Sequence, residues 1–423
     1  MQDKPTNLLT SPSRPSPPYT PVLTSSGSAP SSAVPTDENA PSTRDLLVIA
    51  LLAVGVRAAL VGATALYTGW SLTTIANLHD GPSYLRVAAN MLDPLALVTH
   101  LDRRVFLGYP ALIAVAGLAS VPLPIAALAI SWLGSAIVAV TSAQLFGDRR
   151  VGWALVFFPP SFLIYSSLTM SEASMLAFVG VGLYCVMRRE WYVLGAIAFG
   201  CAGLVRPVAC FAVLGALVML VNRWRLERRE VRRIRKIQPH FPSKLSSDEL
   251  RAALTVALIS AAVVAAGYVA LRAWRGDAFE GVKIYAKSED TFAGDVFSWP
   301  FESLIVTPLT TAVPLWKVGY VWSYVLFVVA GCVIAARRLW LLRRSETYDV
   351  ALVSGVWLLA NTLFVLCTGS VWGFHYFDRH ILAAAPPLLW TFSDVYPRRW
   401  PLWLALGILF SVQAFFGLLA SAT

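Results

Sequence analysis

Val105-Phe106-Leu107-Gly108-Tyr109-Pro110-Ala111-Leu112-Ile113-Ala114-Val115-Ala116-Gly117-Leu118-Ala119-Ser120 looks like a membrane span and falls short of one. A crossing helix needs roughly 20 residues, and this apolar stretch supplies about 16. Counting it as a span would invert either the apolar run before it or all those after it. The topology of the whole chain turns on that choice.

Around it, apolar runs of about 20 residues recur, the signature of transmembrane helices. Candidate spans cover 45–67, 124–146, 151–168, 172–188, 191–204, 207–222, 252–272, 318–336, 350–368, 381–396 and 400–420. Basic residues cluster between them at Arg149-Arg150, Arg188-Arg189, Arg223 to Lys236, Arg337 to Arg344 and Arg398-Arg399. Such clusters favour the cytoplasmic side, and eleven spans with a cytoplasmic N-terminus put every one of them there. On that topology 105–120 is an interfacial or re-entrant helix on the outer side. The outer loop 68–120 then carries two membrane-lying helices, 82–92 and 105–119. The first gathers Tyr84, Leu85, Val87, Ala88, Met91 and Leu92 into one apolar face, and Pro82 suits its first turn. The predicted fold is all-α, a polytopic transmembrane helix bundle of about 11 spans.

Composition agrees. The 423 residues are 57% hydrophobic and 14% charged, with a mean hydropathy of +0.63. A soluble domain carries roughly a quarter of charged residues, so a soluble enzyme is excluded. The net charge of +10 does not signal nucleic acid, because the arginines sit in short clusters that membrane orientation accounts for. Cys185, Cys201, Cys210, Cys332 and Cys367 lie in apolar runs without CxxC spacing, as small buried hydrophobes do. Residues 1–43, rich in Ser, Pro and Thr, read as a disordered cytoplasmic tail. The first apolar run starts only at Leu46 and reads as an uncleaved signal anchor, so residues 44–423 form one transmembrane domain. Loop 223–251 is basic and cytoplasmic, a solvated face against anionic lipid. Loop 273–317, on the outer side, mixes charges with Tyr285, Phe292, Phe297, Trp299 and Phe301.

Ionisable groups near a membrane interior are costly and tend to mark function. In this topology they gather on the outer side from four segments. His79 and Asp80 precede Gly81-Pro82, Glu172 opens a span, Arg206 sits between two spans, and His375, Asp378, Arg379 and His380 precede the tenth. Most have a structural explanation too. Glu172 suits a helix N-terminus, Arg206 can snorkel to headgroups, and His375 and His380 suit an interfacial aromatic belt. Asp80 is the strongest functional candidate, since Gly81-Pro82 pins the backbone beside it.

Several short motifs follow one another in order. They are Asp80-Gly81-Pro82-x-Tyr84-Leu85-x-x-Ala88, Phe106-x-x-Tyr109-Pro110, Gly147-Asp148-Arg149-Arg150 and Phe158-Pro159-Pro160-Ser161-Phe162. Ser171-Glu172-Ala173-Ser174, Val205-Arg206-Pro207 and Asp378-Arg379-His380-Ile381-Leu382 before Pro386 complete the set. Together they resemble GT-C fold membrane glycosyltransferases, and within them the PIG-V-like mannosyltransferases and their bacterial relatives, over residues 45–395. The chain departs from the PIG-V pattern in two places. Gly81-Pro82 replaces more aromatic surroundings of the acid, and His380 stands where a Tyr is common.

The resemblance implies transfer of a hexose, with mannose expected, from a polyprenyl-phosphate carrier to a lipid or glycan acceptor outside the cytoplasm. A bacterial inner membrane is the expected location. The family's acid in the first outer loop is its proposed catalytic base, and by position that is Asp80. Arg206, His375 and Arg379 would then hold the donor phosphate by charge-assisted hydrogen bonds, while His79, Glu172 and Tyr84 orient the acceptor or its neighbours. No cofactor is expected. A divalent metal on Asp80, Asp102 and Glu172 is an option in the wider superfamily, but it is not favoured because these residues show no fixed ligand spacing. Two other readings stay open. One is a transporter or flippase for a lipid-linked sugar, although no internal repeat of the kind transporters show is visible. The other is a non-catalytic subunit that keeps the fold.

Overall fold

The computed structural model describes residues 40–93, 105–237, 248–276, 297–343, 345, 348–397 and 400–420. The expected tail through residue 39, Asp102, and the middle of the loop 273–317 expected on the outer side lie outside these residues. Apart from an isolated bridge between Phe297 and Thr368, every regular element among the described residues is helical.

Helix α1 (Thr43–Thr68) opens on a capping box, in which Ser42 Oγ accepts from the Asp45 N–H and the Asp45 carboxylate accepts from the Ser42 N–H, both at 3.1 Å. Then come α2 (Leu72–Ala76), α3 (Gly81–Leu92), α4 (Gly108–Leu118), α5 (Leu123–Phe146), α6 (Arg149–Phe157) and α7 (Pro160–Ser167). Helix α8 (Glu172–Tyr184) is prolonged by a wider π-helical turn, Cys185–Arg189. It is followed by α9 (Tyr192–Val205), α10 (Cys210–Ile237), α11 (Asp248–Arg275), α12 (Glu302–Thr310), α13 (Leu315–Leu342) and α14 (Tyr348–Leu366). The chain ends through α15 (Ser370–His375), α16 (Phe377–Ile381), α17 (Ala385–Thr391) and α18 (Trp400–Ala420).

Among the described residues, α1, α5, α10, α11, α13 and α14 are each long and apolar enough to cross a membrane. Of the remaining expected spans, 400–420 is the single helix α18 and 191–204 the single short helix α9, while two others are interrupted. The span at 151–168 is broken at Phe158-Pro159 into α6 and α7, and the chain then bends by 104° between α7 and α8. The span at 381–396 is a succession of short turns, Leu382–Ala384, Ala385–Thr391 and Ser393–Val395. Prolines at 159, 160, 386 and 387 explain both interruptions, because each removes a backbone donor. The run 105–120 yields only α4. Eleven residues rise about 16 Å, half of the roughly 30 Å hydrocarbon core, so α4 cannot cross as a helix. It packs on α3, α5 and α9. A Cβ at Gly108 would fall 2.6 Å from Val205 N, so only glycine lets α4 meet the end of α9 this closely.

Ion pairs mark one end of the bundle. Asp45 at the start of α1 pairs with Arg149 at the start of α6, and Arg188 Nη2 donates to Leu145 O at 2.7 Å. Arg223 pairs with Asp349 at 2.7 Å, and Arg338 with Asp394 at 2.8 Å. Four of the five basic clusters of the sequence therefore join the same end. The basic run expected as a loop from 223 is instead a continuation of α10 as far as Ile237, since Arg and Glu are good helix formers. There Arg228 covers the Trp224 ring one turn earlier, at 4.5 Å.

The break in the third pass has a long-range partner. Pro159 and Pro160 lack the N–H groups that an unbroken helix would send to the carbonyls of Leu155 and Val156. Arg57, fully buried in the middle of α1, fills the gap. Its Nη2 donates to Leu155 O at 3.3 Å and its Nη1 to Val156 O at 3.2 Å, while Nε donates to Ser166 Oγ at 2.7 Å. The guanidinium also lies over the Phe162 ring at 5.3 Å. This arrangement fixes the direction of α7, which leads into the turn that carries Glu172.

Candidate functional site

At the other end of the bundle, α1 leads through α2 into the turn Asn77–Asp80. His79 adopts φ 52°, a left-handed conformation in which His is enriched but which still strains a non-glycine residue. A Cβ at Gly81 would sit 2.0 Å from the carbonyl oxygen of Ala76, so this tight return onto α2 requires glycine. Asp80 precedes α3, and its carbonyl accepts from the N–H groups of Ser83 and Tyr84 at 3.0 and 3.2 Å. An Asp at such a position ordinarily caps the helix with its side chain. Here the carboxylate makes no capping bond and instead accepts from Arg379 Nη2 at 2.6 Å.

The turn between α7 and α8 is held from α5 and α3. Trp132 Nε1 donates to Ser167 O at 3.0 Å, Ser131 Oγ donates to Met170 O at 3.1 Å, and Ser171 Oγ shares a 3.0 Å hydrogen bond with the Tyr84 hydroxyl. Glu172 follows in the first turn of α8, where the helix dipole favours a carboxylate. Its Oε1 accepts from Arg379 Nε at 2.5 Å and also from Arg206 Nη1. Its Oε2 is buried with no hydrogen-bond partner among the described residues. Arg206 is extended (φ −153°, ψ 127°), as the residue before a proline is, and this turns its side chain out of the α9 register.

The result is a chain of alternating charges, Asp80, Arg379, Glu172 and Arg206. The Glu172 side chain is 2% exposed, Arg379 11%, Arg206 18% and Asp80 47%, so the only carboxylate that an incoming molecule reaches easily is Asp80. Burial opposes the charge on Arg379, but the carboxylates of Glu172 and Asp80 outweigh it and hold its pKa well above the ordinary value. Burial, helped by Arg379, pushes the His79 imidazole below 6.5. Burial and the charge of Glu172 raise the Tyr84 hydroxyl to about 12, so it stays a neutral hydrogen-bonding group. Asp378 is raised by burial and accepts from the Tyr320 hydroxyl at 3.1 Å.

Of the seven residues singled out by sequence, the structure joins Asp80, Glu172, Arg206 and Arg379 directly. His79 packs its ring against Tyr165 at 5.9 Å, and Tyr165 also lies under Arg379 at 5.4 Å. Tyr84 is buried and points to Ser171, so it braces α3 rather than facing an open space. His375 stands elsewhere, against Phe374 and near Lys317, and pairs with none of the four charges among the described contacts. Sequence reasoning passed over Tyr165 and assigned His380 only to an interfacial aromatic belt. His380 is pushed down to about 3 by burial, with Arg206 and Arg379 adding to the effect, and so sits beside the network as a neutral imidazole. Its place next to Arg379 in sequence was the available signal. Among the described residues, no group of three His, Cys, Asp or Glu side chains is placed to hold a metal ion. Asp80 and Glu172 both face the Arg379 guanidinium, a poor setting for a divalent cation.

No family model and no curated protein matches the chain. Solved structures that resemble it include two membrane proteins. One is the crystal structure of ArnT from Cupriavidus metallidurans bound to undecaprenyl phosphate, at 15% identity over 87% of this chain, with a TM-score of 0.49. The other is the archaeal oligosaccharyltransferase AglB from Archaeoglobus fulgidus in complex with an inhibitory peptide and a dolichol-phosphate, at 14% identity over 90% of this chain, with a TM-score of 0.43. The chain spans 63% of the length of the first and 55% of the second.

Proposed function

We propose that this protein is a GT-C type integral-membrane glycosyltransferase. It moves a hexose, mannose by motif resemblance, from a polyprenyl-phosphate carrier to a lipid or glycan acceptor. The observation that carries the proposal is the Asp80–Arg379–Glu172–Arg206 network, a half-exposed carboxylate backed by two guanidiniums fixed on a buried acid. The network lies at the end of the bundle opposite the basic ion pairs. With that basic end in the cytoplasm, as the charge bias favours, the site faces outward.

In this mechanism Asp80 takes the proton from an acceptor hydroxyl as its oxygen attacks the anomeric carbon. The bond from that carbon to the phosphate oxygen breaks, and the carrier phosphate leaves with the electron pair. Arg379 and Arg206 receive its charge. Arg379 already holds Asp80, so the arriving phosphate exchanges for that carboxylate and frees the base beside the sugar. Glu172 keeps both guanidiniums in place throughout. His79, neutral and packed on Tyr165, shapes the wall next to the base.

The test uses purified protein in proteoliposomes given radiolabelled polyprenyl-phosphate-mannose and a membrane extract as acceptor source. Label moving to a second product supports the proposal. Label crossing the bilayer while still on its carrier would instead select a flippase.

A further inference from the structure

Between α7, α13 and α18 lies an open cleft of about 230 Å³, lined among others by Phe158, Tyr320, Ser323, Tyr324, Phe327 and Gln413. Gln413 is exposed on α18 among Ile408, Leu409, Val412 and Phe416, apolar side chains that are exposed too. Such a surface on a membrane protein faces lipid, where a carboxamide is costly unless something hydrogen-bonds it. The Gln413 amide has no such partner among the described residues.

The other polar groups of the cleft are also uncharged. The Tyr320 hydroxyl donates to Asp378, the Tyr324 hydroxyl shares a 3.2 Å bond with Ser161 Oγ, and Ser323 Oγ donates to Tyr320 O at 2.6 Å. Among the described residues no cation lines the cleft; Lys317, which feels the charge of Asp378, is not part of the wall. The Asp378 carboxylate behind Tyr320 makes the place unfavourable for a phosphate. The cleft adjoins the catalytic end, because Asp378 is the neighbour of Arg379 and because α7, which lines the cleft, carries Tyr165 beneath that arginine.

We propose that this cleft binds the polar neck of an uncharged, hydroxyl-bearing lipid, and that this lipid class is the acceptor of the transfer. The role as acceptor site rests on the glycosyltransferase proposal; the binding does not. The volume equals roughly seven or eight waters at ~30 Å³ each. That is below the usual range of about 300–1,000 Å³ for a whole ligand, so the cleft takes a glycerol or a first sugar ring while the chains stay in the bilayer. The donor, with its phosphate, goes to the arginines instead.

The full chain in nanodiscs is photolabelled with a diacylglycerol carrying a diazirine beside its glycerol. Phosphatidic acid with the same chains and diazirine serves as comparator. Labelling is expected on peptides from Leu315–Leu342 and Trp400–Ala420, stronger with diacylglycerol than with phosphatidic acid. Gln413→Leu and Tyr324→Phe should each lower it about fivefold, the effect of losing one neutral hydrogen bond of roughly 1 kcal/mol. Asp80→Asn should leave it unchanged. Equal labelling by phosphatidic acid, label spread over other helices, or full labelling of Gln413→Leu would overturn the proposal. Sugar transfer without this labelling sinks the cleft alone, and labelling without transfer leaves the cleft standing and removes the enzyme.

Discussion

Replacing Glu172 by Gln removes one charge from the centre of the network and almost nothing else. Oε1 accepts from both Arg379 and Arg206, and a Gln carbonyl can keep both bonds. Oε2, which has no partner among the described residues, becomes the amide nitrogen, so no existing bond is broken. Two bonds are weakened. A hydrogen bond involving a charged group contributes about 1.5–3 kcal/mol, and an ionised partner roughly doubles its strength. Halving both costs about 1.5–3 kcal/mol, or roughly 10- to 150-fold in rate if the loss falls on the transition state. The assay is transfer kinetics in proteoliposomes with the donor varied, alongside thermal melting in detergent. Slower transfer with a small fall in melting temperature is expected. A fall in melting temperature with unchanged kcat and KM would make Glu172 a purely structural brace. Wild-type values in both would refute the reasoning that the network organises the site. Glu172→Ala, which removes the acid between the two guanidiniums and leaves Arg206 without its carboxylate partner, should cost about 3–5 kcal/mol and give poorly folded protein.

Arg379→Lys keeps the charge but loses the planar fork that meets Asp80 and Glu172 together, so donor KM should rise at least about tenfold; an unchanged KM would take Arg379 away from the phosphate. Arg57→Met should strand the carbonyls of Leu155 and Val156 at about 1–3 kcal/mol each, lowering the melting temperature by several degrees, whereas unchanged melting would mean that water or repacking replaces the guanidinium. His79, facing Asp80, Glu172, Arg379 and Tyr165, has a folded-state pKa below its ordinary 6.5. The stability it contributes is therefore complete above pH ~6.5 and is lost as pH falls through the lower folded value. His79→Asn tolerates the left-handed backbone and should flatten the fall in melting temperature below pH ~6.5; a pH dependence identical to wild type would show that other groups govern it.

Much of this architecture was legible because charge is scarce in the chain. Asp80, Glu172, Arg206 and Arg379 stood out against apolar surroundings, and the topology sent all four to one end, where they meet. Their pairing was not legible. The motif resemblance cast Asp80 as base and Arg379 as phosphate ligand, and nothing in sequence said that each would be the other's partner before substrate arrives. His375 shares its segment with Arg379, yet a short helix and the turn at Tyr376 separate it from the network. Arg57 escaped notice altogether. Its partners lie about 100 residues away, and its role depends on two prolines that strip donors from a different helix. The shortness of 105–120 was read directly from length, whereas the broken third and tenth passes look like ordinary spans until proline's missing N–H is followed through the helix. The basic run after Asn222 was taken for a loop because its charge was weighed and its helix propensity was not.

The central claim is that Asp80 accepts the acceptor's proton. Asp80→Asn keeps the size of the side chain and can still meet Arg379 through its amide oxygen, so the variant should fold and insert normally. Its transfer of radiolabelled mannose from the polyprenyl-phosphate donor should fall about 10²-fold or more, since general-base catalysis contributes 10²–10⁴. Transfer near the wild-type rate by a well-folded Asp80→Asn protein would contradict the account.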